Sequence, residues 1–422
     1  MSIHGKQIVI LSLFRFDNLL TSTGFTLAKH LSKDNTVFYF DNPFTYTDFV
    51  KQRNTPAGML RRNYTTGKTD GIQAVDGFPN LKVILSPLLW PIHFLPEGKL
   101  YRLLLQQNEA VIRRRIKQVL KRFNVDDFVF INSFQFHYPN VATGLQPALQ
   151  VYHSLDPVHT PFDRKHGLVS EEILVRQSDL VICSSQQLYR EKKALNPNTF
   201  FIPNAADIKD SQKALAAELP CAEILESIPK PIVGYFGSVE HRFDFGLLQG
   251  VVEANPEKSF VFVGPANREH LPEWFLQAKN VYLQGPVPHS EMPAVLKGFD
   301  VAIIPFRKTD FSRTVFPLKL FEYLGAGKPV VATDFNPDLA GFTNGTVAYC
   351  SDAESFSNAL HLALQQNNAV ALEKRLAVAR ENTWEIRVAE FQQLVSDALD
   401  RKKAGNRTAG SSTNKADRSD AN

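Results

Sequence analysis

The feature that most restricts this chain is a series of short apolar runs alternating with amphipathic segments, which occurs twice. Runs at residues 7–13 (QIVILSL), 36–40 (TVFYF), 81–85, 128–131, 150–153, 180–183 and 199–202 make the first series. Helical patterns fall between them, notably at 24–32, 98–123 and 170–177. Continuous apolar runs read as strands buried on both faces, and strands alternating with helices predict a parallel, doubly wound sheet. The series restarts after Pro229, Lys230 and Pro231, with runs at 232–236 (IVGYF), 259–263 (SFVFV), 281–284, 301–305 (VAIIP), 329–333 (PVVAT) and 346–350. The fold class expected is α/β, with two Rossmann-like, doubly wound parallel-sheet domains facing across a cleft.

The domain bounds expected are 1–205 and 206–383, with a polar, Ala-rich helical connection over 205–228. A closing amphipathic helix follows at 384–401, packing back across the domains. Residues 402–422 lack large apolar side chains and predict a disordered tail. Ligands of open parallel sheets bind beyond the carboxyl ends of the strands, so the chemistry belongs in the loops that follow them.

Composition narrows the classes. The 422 residues are 44% hydrophobic and 21% charged, which excludes a mainly disordered or collagen-like chain. The net charge is only +4, but it is uneven: residues 1–210 hold 25 Lys+Arg against 18 Asp+Glu (+7), the remainder 22 against 25 (−3). Cys183, Cys221 and Cys350 are scattered and form no CxxC, against a disulfide framework or a zinc site. The start of the sequence runs straight into the first apolar run, and no signal peptide is expected. The longest apolar stretch, 81–96, is interrupted by Lys82, Pro87, Pro91, His93 and Pro96, too short and broken to span a bilayer. A cytoplasmic protein is expected, at the inner face of the cytoplasmic membrane if it meets lipid.

Two segments of the second half carry chemistry. In 235–244 (YFGSVEHRFD), Gly237 and Ser238 follow a strand and let backbone N–H groups approach a phosphate, while Arg242 can pair with its oxygens. The competing reading is a plain turn with Arg242 paired to Asp244. In 316–333 (FPLKLFEYLGAGKPVVAT), Pro317 opens a helix, Lys319 sits near its N-terminus, and Glu322 lies three residues on along the same face. Glu322 there can accept from two neighbouring hydroxyls, as a ribose offers. The competing reading is a surface salt bridge between the two.

In the first half, Asp156 lies just beyond the 150–153 strand, in SLDPVH, where a carboxylate can take the proton of an acceptor hydroxyl. It can equally cap a turn before Pro157. His153, His159 and His137 are the runners-up. Gly24 ends the loop 14–24 (FRFDNLLTSTG) and opens a helix where an acceptor could approach, or else merely turns the chain. The helix at 98–123 is basic and amphipathic, and Leu88, Leu89, Trp90 and Phe94 precede it. That pattern fits either contact with an anionic membrane or a solvated basic face. No nucleic-acid reader motif occurs.

Residues 231–339 resemble the nucleotide-binding domain of the two-domain GT-B glycosyltransferases, in particular the bacterial teichuronic-acid and exopolysaccharide group. The fragments that carry the resemblance are GYFGSVEHRFD, FVFVGP, NVYLQGPVPHSEMPAVLKGFDVAIIPF and FPLKLFEYLGAGKPVVATDFNPD. It implies that Glu322 binds the ribose of a sugar nucleotide. It also implies that Lys319, Arg242 and the Gly237–Ser238 amides hold the diphosphate, and that Gly264 and Pro288 belong to the walls around the base. His153 and Gly24 would meet the acceptor, and Tyr152 with Asp156 resembles the Y-x-x-x-D pattern of related transferases. Many retaining relatives carry a second glutamate eight residues before the ribose-binding one; here that position is Thr314. No DxD triplet occurs, so no metal is expected on the diphosphate and no cofactor beyond the co-substrate, a UDP-sugar foremost. The implied function is sugar transfer to a glycan or lipid-linked hydroxyl in cell-surface polysaccharide synthesis. A catalytically silent sugar-nucleotide-binding subunit and a sugar-nucleotide epimerase on the same fold are the alternatives.

Overall fold

The structure, a computed structural model, describes residues 3–17 and 22–416. It divides into two units. The first comprises residues 1–202 together with 388–422, and the second residues 203–387.

The first unit is built on eight strands: β1 (Gln7–Ser12), β2 (Thr36–Phe40), β3 (Ile72–Val75), β4 (Phe78–Ile84), β5 (Phe128–Ser133), β6 (Leu149–Ser154), β7 (Leu180–Cys183) and β8 (Thr199–Phe201). Their order is β3-β4-β2-β1-β5-β6-β7-β8. All pairs are parallel except β3 with β4, an antiparallel hairpin at the edge. The hairpin departs from the all-parallel expectation, because β3 is short and half-exposed and gives no apolar run to read. Every residue of β5 is buried, as a central strand covered on both faces requires. The helices that matter below are α1 (Thr23–Leu31), α2 (Lys99–Arg122) and α3 (Pro161–Gln177).

The second unit holds β9 (Ile232–Phe236), β10 (Ser259–Val263), β11 (Val281–Gly285), β12 (Val301–Ile304), β13 (Val330–Thr333) and β14 (Val347–Cys350), all parallel, in the order β11-β10-β9-β12-β13-β14. The chain runs outward from β9 to β11 and then returns to β12 on the other side of β9. This reversal opens a crevice at the carboxyl ends of β9 and β12. Phe260 and Phe262 of β10 are fully buried; each buried side chain of this kind contributes about 1.5–3 kcal/mol. Gly234 lets β9 pass the Phe299 ring, which a Cβ would meet at 2.2 Å. The helices that frame the crevice are α4 (Phe245–Ala254) and α5 (Leu318–Gly325).

Two expectations need correction. Residues 205–228 are not one helix but short turns at Ile208–Gln212, Lys213–Leu215 and Glu223–Leu225. Pro220 disfavours helical backbone at Leu219, and Ala214, Ala222, Leu225 and Ile228 are buried singly instead of as one stripe. The closing helix, α6 (Trp384–Ala416), runs past residue 401 into the stretch expected to be disordered. Lys402, Lys403 and Ala404 are good helix formers, and Lys402 pairs with Asp179 at 2.6 Å. Absence of apolar side chains removes packing, not helical propensity. Residues 417–422 lie outside the described residues.

Candidate functional site

The carboxyl ends of β9, β10 and β11 each reach a glycine, at Gly237, Gly264 and Gly285. Gly237 and Gly264 hold φ of +138° and +147°, where side chains are rarely tolerated. Gly237 donates its N–H to the Val263 carbonyl at 2.8 Å, and Gly264 donates to Gly285 at 2.7 Å. The two loops lie so close that a Cβ on Gly264 would sit 2.2 Å from the Gly237 carbonyl oxygen. A Cβ on Gly237 would sit 2.6 Å from Lys319 Nζ. Glycine at 237 therefore makes room for the ammonium.

Lys319 comes from the first turn of α5, whose N-cap residue, Pro317, offers no side-chain hydrogen bond. Its Nζ donates to the Tyr235 hydroxyl, which in turn donates to the Ser238 carbonyl at 3.1 Å. The ammonium lies 4.1 Å from the centre of the Tyr235 ring and 5.4 Å from that of Phe306. Among the described residues no carboxylate comes within ion-pairing distance of it. Burial pushes its pKa down to about 7, with the Arg242 charge acting in the same direction and Glu322 and Glu240 opposing. A lysine desolvated without a counter-ion, beside a glycine loop, is free to pair with an anion that enters the crevice.

Glu322 lies three residues further along α5. It is half-buried, and among the described residues its carboxylate makes neither a hydrogen bond nor an ion pair. The surface salt bridge that the spacing also allowed does not form. Desolvation raises its pKa against the pull of His289 and Lys319. Tyr323, the next residue, anchors the helix: its hydroxyl accepts from the Phe236 N–H at 2.8 Å and donates to the Phe236 carbonyl at 3.2 Å.

Arg242 does not pair with Asp244. Its Nε donates to Glu240 Oε1 at 2.7 Å, and its guanidinium lies 5.8 Å from the Phe306 ring centre. Asp244, its anticipated alternative partner, instead caps α4 through the Leu247 N–H at 3.0 Å. Of the two amides expected to face a diphosphate, Gly237 is already committed to the Val263 carbonyl, while Ser238 N–H has no partner among the described residues. Pro288 is exposed, next to the His289 that acts on Glu322. Thr314 is buried and turns its hydroxyl onto the Phe311 carbonyl at 2.6 Å. Tyr235, Tyr323 and Glu240 escaped the sequence reading. A tyrosine inside an apolar strand just before a glycine loop was the available signal, since a buried hydroxyl needs a partner.

In the first unit, Asp156 is half-buried on the loop after β6. Tyr152 points into the core and donates to Glu171 at 2.7 Å. His153 is buried with Nδ1 unpartnered, its ring 5.7 Å from that of Phe391, and burial pushes its pKa down to about 4. This placement encloses it away from solvent. Gly24 is buried at the start of α1, where a Cβ would meet Ser133 Oγ at 2.6 Å. Residues 18–21 of the expected 14–24 loop lie outside the described residues. In α2, Arg113 donates to the Asn140 carbonyl at 2.8 Å, Arg115 to the Asp70 carbonyl at 2.6 Å, and Arg122 pairs with Asp70 at 2.9 Å. These side chains tie down the unit's own loops, leaving Arg114, Lys117 and Lys121 exposed. Among the described residues no helix is long and apolar enough to cross a membrane, and no cluster of His, Cys, Asp and Glu is grouped as a metal site.

Residues 230–366 match the family described as glycosyl transferases group 1. A putative teichuronic acid biosynthesis glycosyltransferase, TuaH, of Bacillus subtilis (strain 168) is 29% identical over 177 residues, 41% of this chain and 45% of that protein. The match thus spans less than half the length of this curated relative. Sucrose-phosphate synthase from Thermosynechococcus elongatus superposes with a TM-score of 0.64 at 17% identity, over 94% of this chain and 100% of that one. Anabaena HepE in complex with UDP gives 0.59 at 14% identity, over 94% and 100%.

Proposed function

From the premise that the second unit carries a group 1 glycosyl transferase domain within a GT-B fold, we propose that the protein transfers a sugar from a nucleoside diphosphate donor, a UDP-sugar foremost, to a hydroxyl of a glycan or lipid-linked acceptor. The observation that carries the reading is the pair on α5: an ammonium without a counter-ion against Gly237, and an unpaired carboxylate one turn on. Lys319, the Ser238 amide and the N-terminus of α5 hold the diphosphate, and Arg242 joins them by exchanging Glu240 for phosphate oxygens. Glu322 accepts from the ribose hydroxyls. Transfer breaks the bond from the anomeric carbon to the phosphate oxygen, whose electron pair leaves with the nucleoside diphosphate. The acceptor oxygen bonds to that carbon and its proton passes to a base, Asp156 if the reaction inverts. The positive groups around the leaving oxygen lower the barrier as its charge develops. The name of the Bacillus relative supports a role in cell-surface polysaccharide synthesis, on the cytoplasmic side where sugar nucleotides are found.

Purified protein given UDP-sugars and candidate acceptors is expected to release UDP only when an acceptor is present. Binding without acceptor-dependent release would favour the silent-subunit reading, to which the inward-turned Thr314 lends weight.

The Lys319 environment predicts a pH dependence. Its pKa is about 7 in the free protein, and a bound diphosphate favours the charged form and raises it. Above that pH, binding must take up a proton. UDP affinity is therefore expected to fall as pH rises from 7.5 to 9, by up to about tenfold per unit. Calorimetry in buffers of different ionisation enthalpy checks the proton uptake; a flat affinity across this range would show that Lys319 does not meet the anion.

A further inference from the structure

The first unit contains a cavity of about 610 Å³ that none of the foregoing uses. It opens beyond the ends of β1 and β5, where Leu13 and His137 line it, and is walled by Trp90, Phe94, Tyr101 and Phe162. Three of these aromatics lie open to solvent at its margin: Trp90 is 61% exposed, Phe94 76% and Phe162 61%. Such exposure of large rings around one depression marks a binding surface. Its polar features are few and convergent. His137 Nε2 lies 3.2 Å from Asp163 Oδ1, and His93 Nε2 is buried without a hydrogen-bond partner.

Charge decides the class of ligand. Asp48 and Asp163 both line the cavity, against Lys51. The N-terminus of α3, a possible phosphate seat, is already filled by Thr160 and by Asp163 in its first turn. A phosphorylated sugar would meet two carboxylates there. Aromatic faces flanked by carboxylate and imidazole instead suit a neutral sugar ring, whose C–H edges pack on the rings while its hydroxyls donate to Asp163.

We propose that this cavity takes a neutral, amphiphilic glycoside as the acceptor: the sugar sits against His93, His137 and Asp163, and an apolar aglycone lies across Trp90, Phe94 and Phe162. The assignment rests on the glycosyltransferase reading and gives it an acceptor class.

The test uses the full chain without nucleotide, titrated calorimetrically with octyl glucoside below its micellar concentration, methyl glucoside and glucose 6-phosphate. Octyl glucoside is expected to bind at least tenfold more tightly than methyl glucoside, and glucose 6-phosphate more weakly than either. Trp90→Ala and Phe94→Ala, both at exposed positions, should erase the preference for the octyl chain while leaving UDP affinity unchanged. Equal binding of the two glucosides, preference for the phosphosugar, or an undiminished preference in both variants would overturn the proposal. So would a concentration-dependent dimer abolished by the same substitutions, since a second copy would then cover the rings. UDP titration of the same preparation reports on the second unit alone, so a failed acceptor cavity and a failed donor site give different results.

Discussion

Lys319→Met is expected to lower kcat/KM for the sugar nucleotide by about 100- to 1000-fold, the range seen when one preorganised group facing developing charge is removed. Folding should be spared. Methionine keeps most of the aliphatic stem that packs between Tyr235 and Phe306 and removes a charge that burial penalises. The melting temperature should hold or rise, and that separation of activity from stability is what a functional lysine produces. A structural lysine would give the reverse: a lowered melting temperature with activity falling only in proportion to unfolded protein. Acceptor-dependent UDP release and a thermal melt on the same sample distinguish the two.

Gly264→Ala is expected to cost about 3 kcal/mol or more and to abolish UDP binding. The new Cβ meets the Gly237 carbonyl oxygen at 2.2 Å, a backbone atom that no rotamer change can move aside, and φ at this residue is +147°. Strain of that kind contributes about 1–3 kcal/mol, and overpacking about 1–3 more. Any relief pushes the β9 loop away from the β10 loop and shifts Gly237 relative to Lys319. Gly285→Ala supplies the comparison: φ is +68°, but nothing lies within 4 Å of its Cβ, so only a backbone cost of about 1–2 kcal/mol is expected. Chemical denaturation with a UDP titration checks both. Equal effects of the two substitutions would show that the crossing of the loops is not what holds the site.

The contrast between these two glycines also marks what the sequence discloses. Residues such as 259–263 (SFVFV) announce a buried strand because a sheet covered on both faces needs an unbroken apolar run. Lys319 and Glu322 were legible because both lie on one short helix, where spacing alone places them on a common face. What was not legible depends on residues distant in sequence. The Lys319 bond to Tyr235 spans 84 positions, and the clamp of Tyr323 on Phe236 spans 87. The engagement of Arg242 by Glu240 in place of Asp244 is a local choice, settled because Asp244 already caps α4. The β3 hairpin escaped because Ile72–Val75 is only four residues long with none of them buried, and 205–228 reads as a helix because its Ala-rich composition favours one, while Pro220 interrupts it.

If the α5 pair grips a nucleoside diphosphate, calorimetric titration of UDP into the wild-type chain and into Glu322→Ala must separate the two proteins. Hydrogen bonds to a charged group contribute about 1.5–3 kcal/mol, so the wild type is expected to bind one UDP saturably and the variant at least about tenfold more weakly. Equal UDP affinity in the two proteins, or no binding to either while both remain folded, would contradict it.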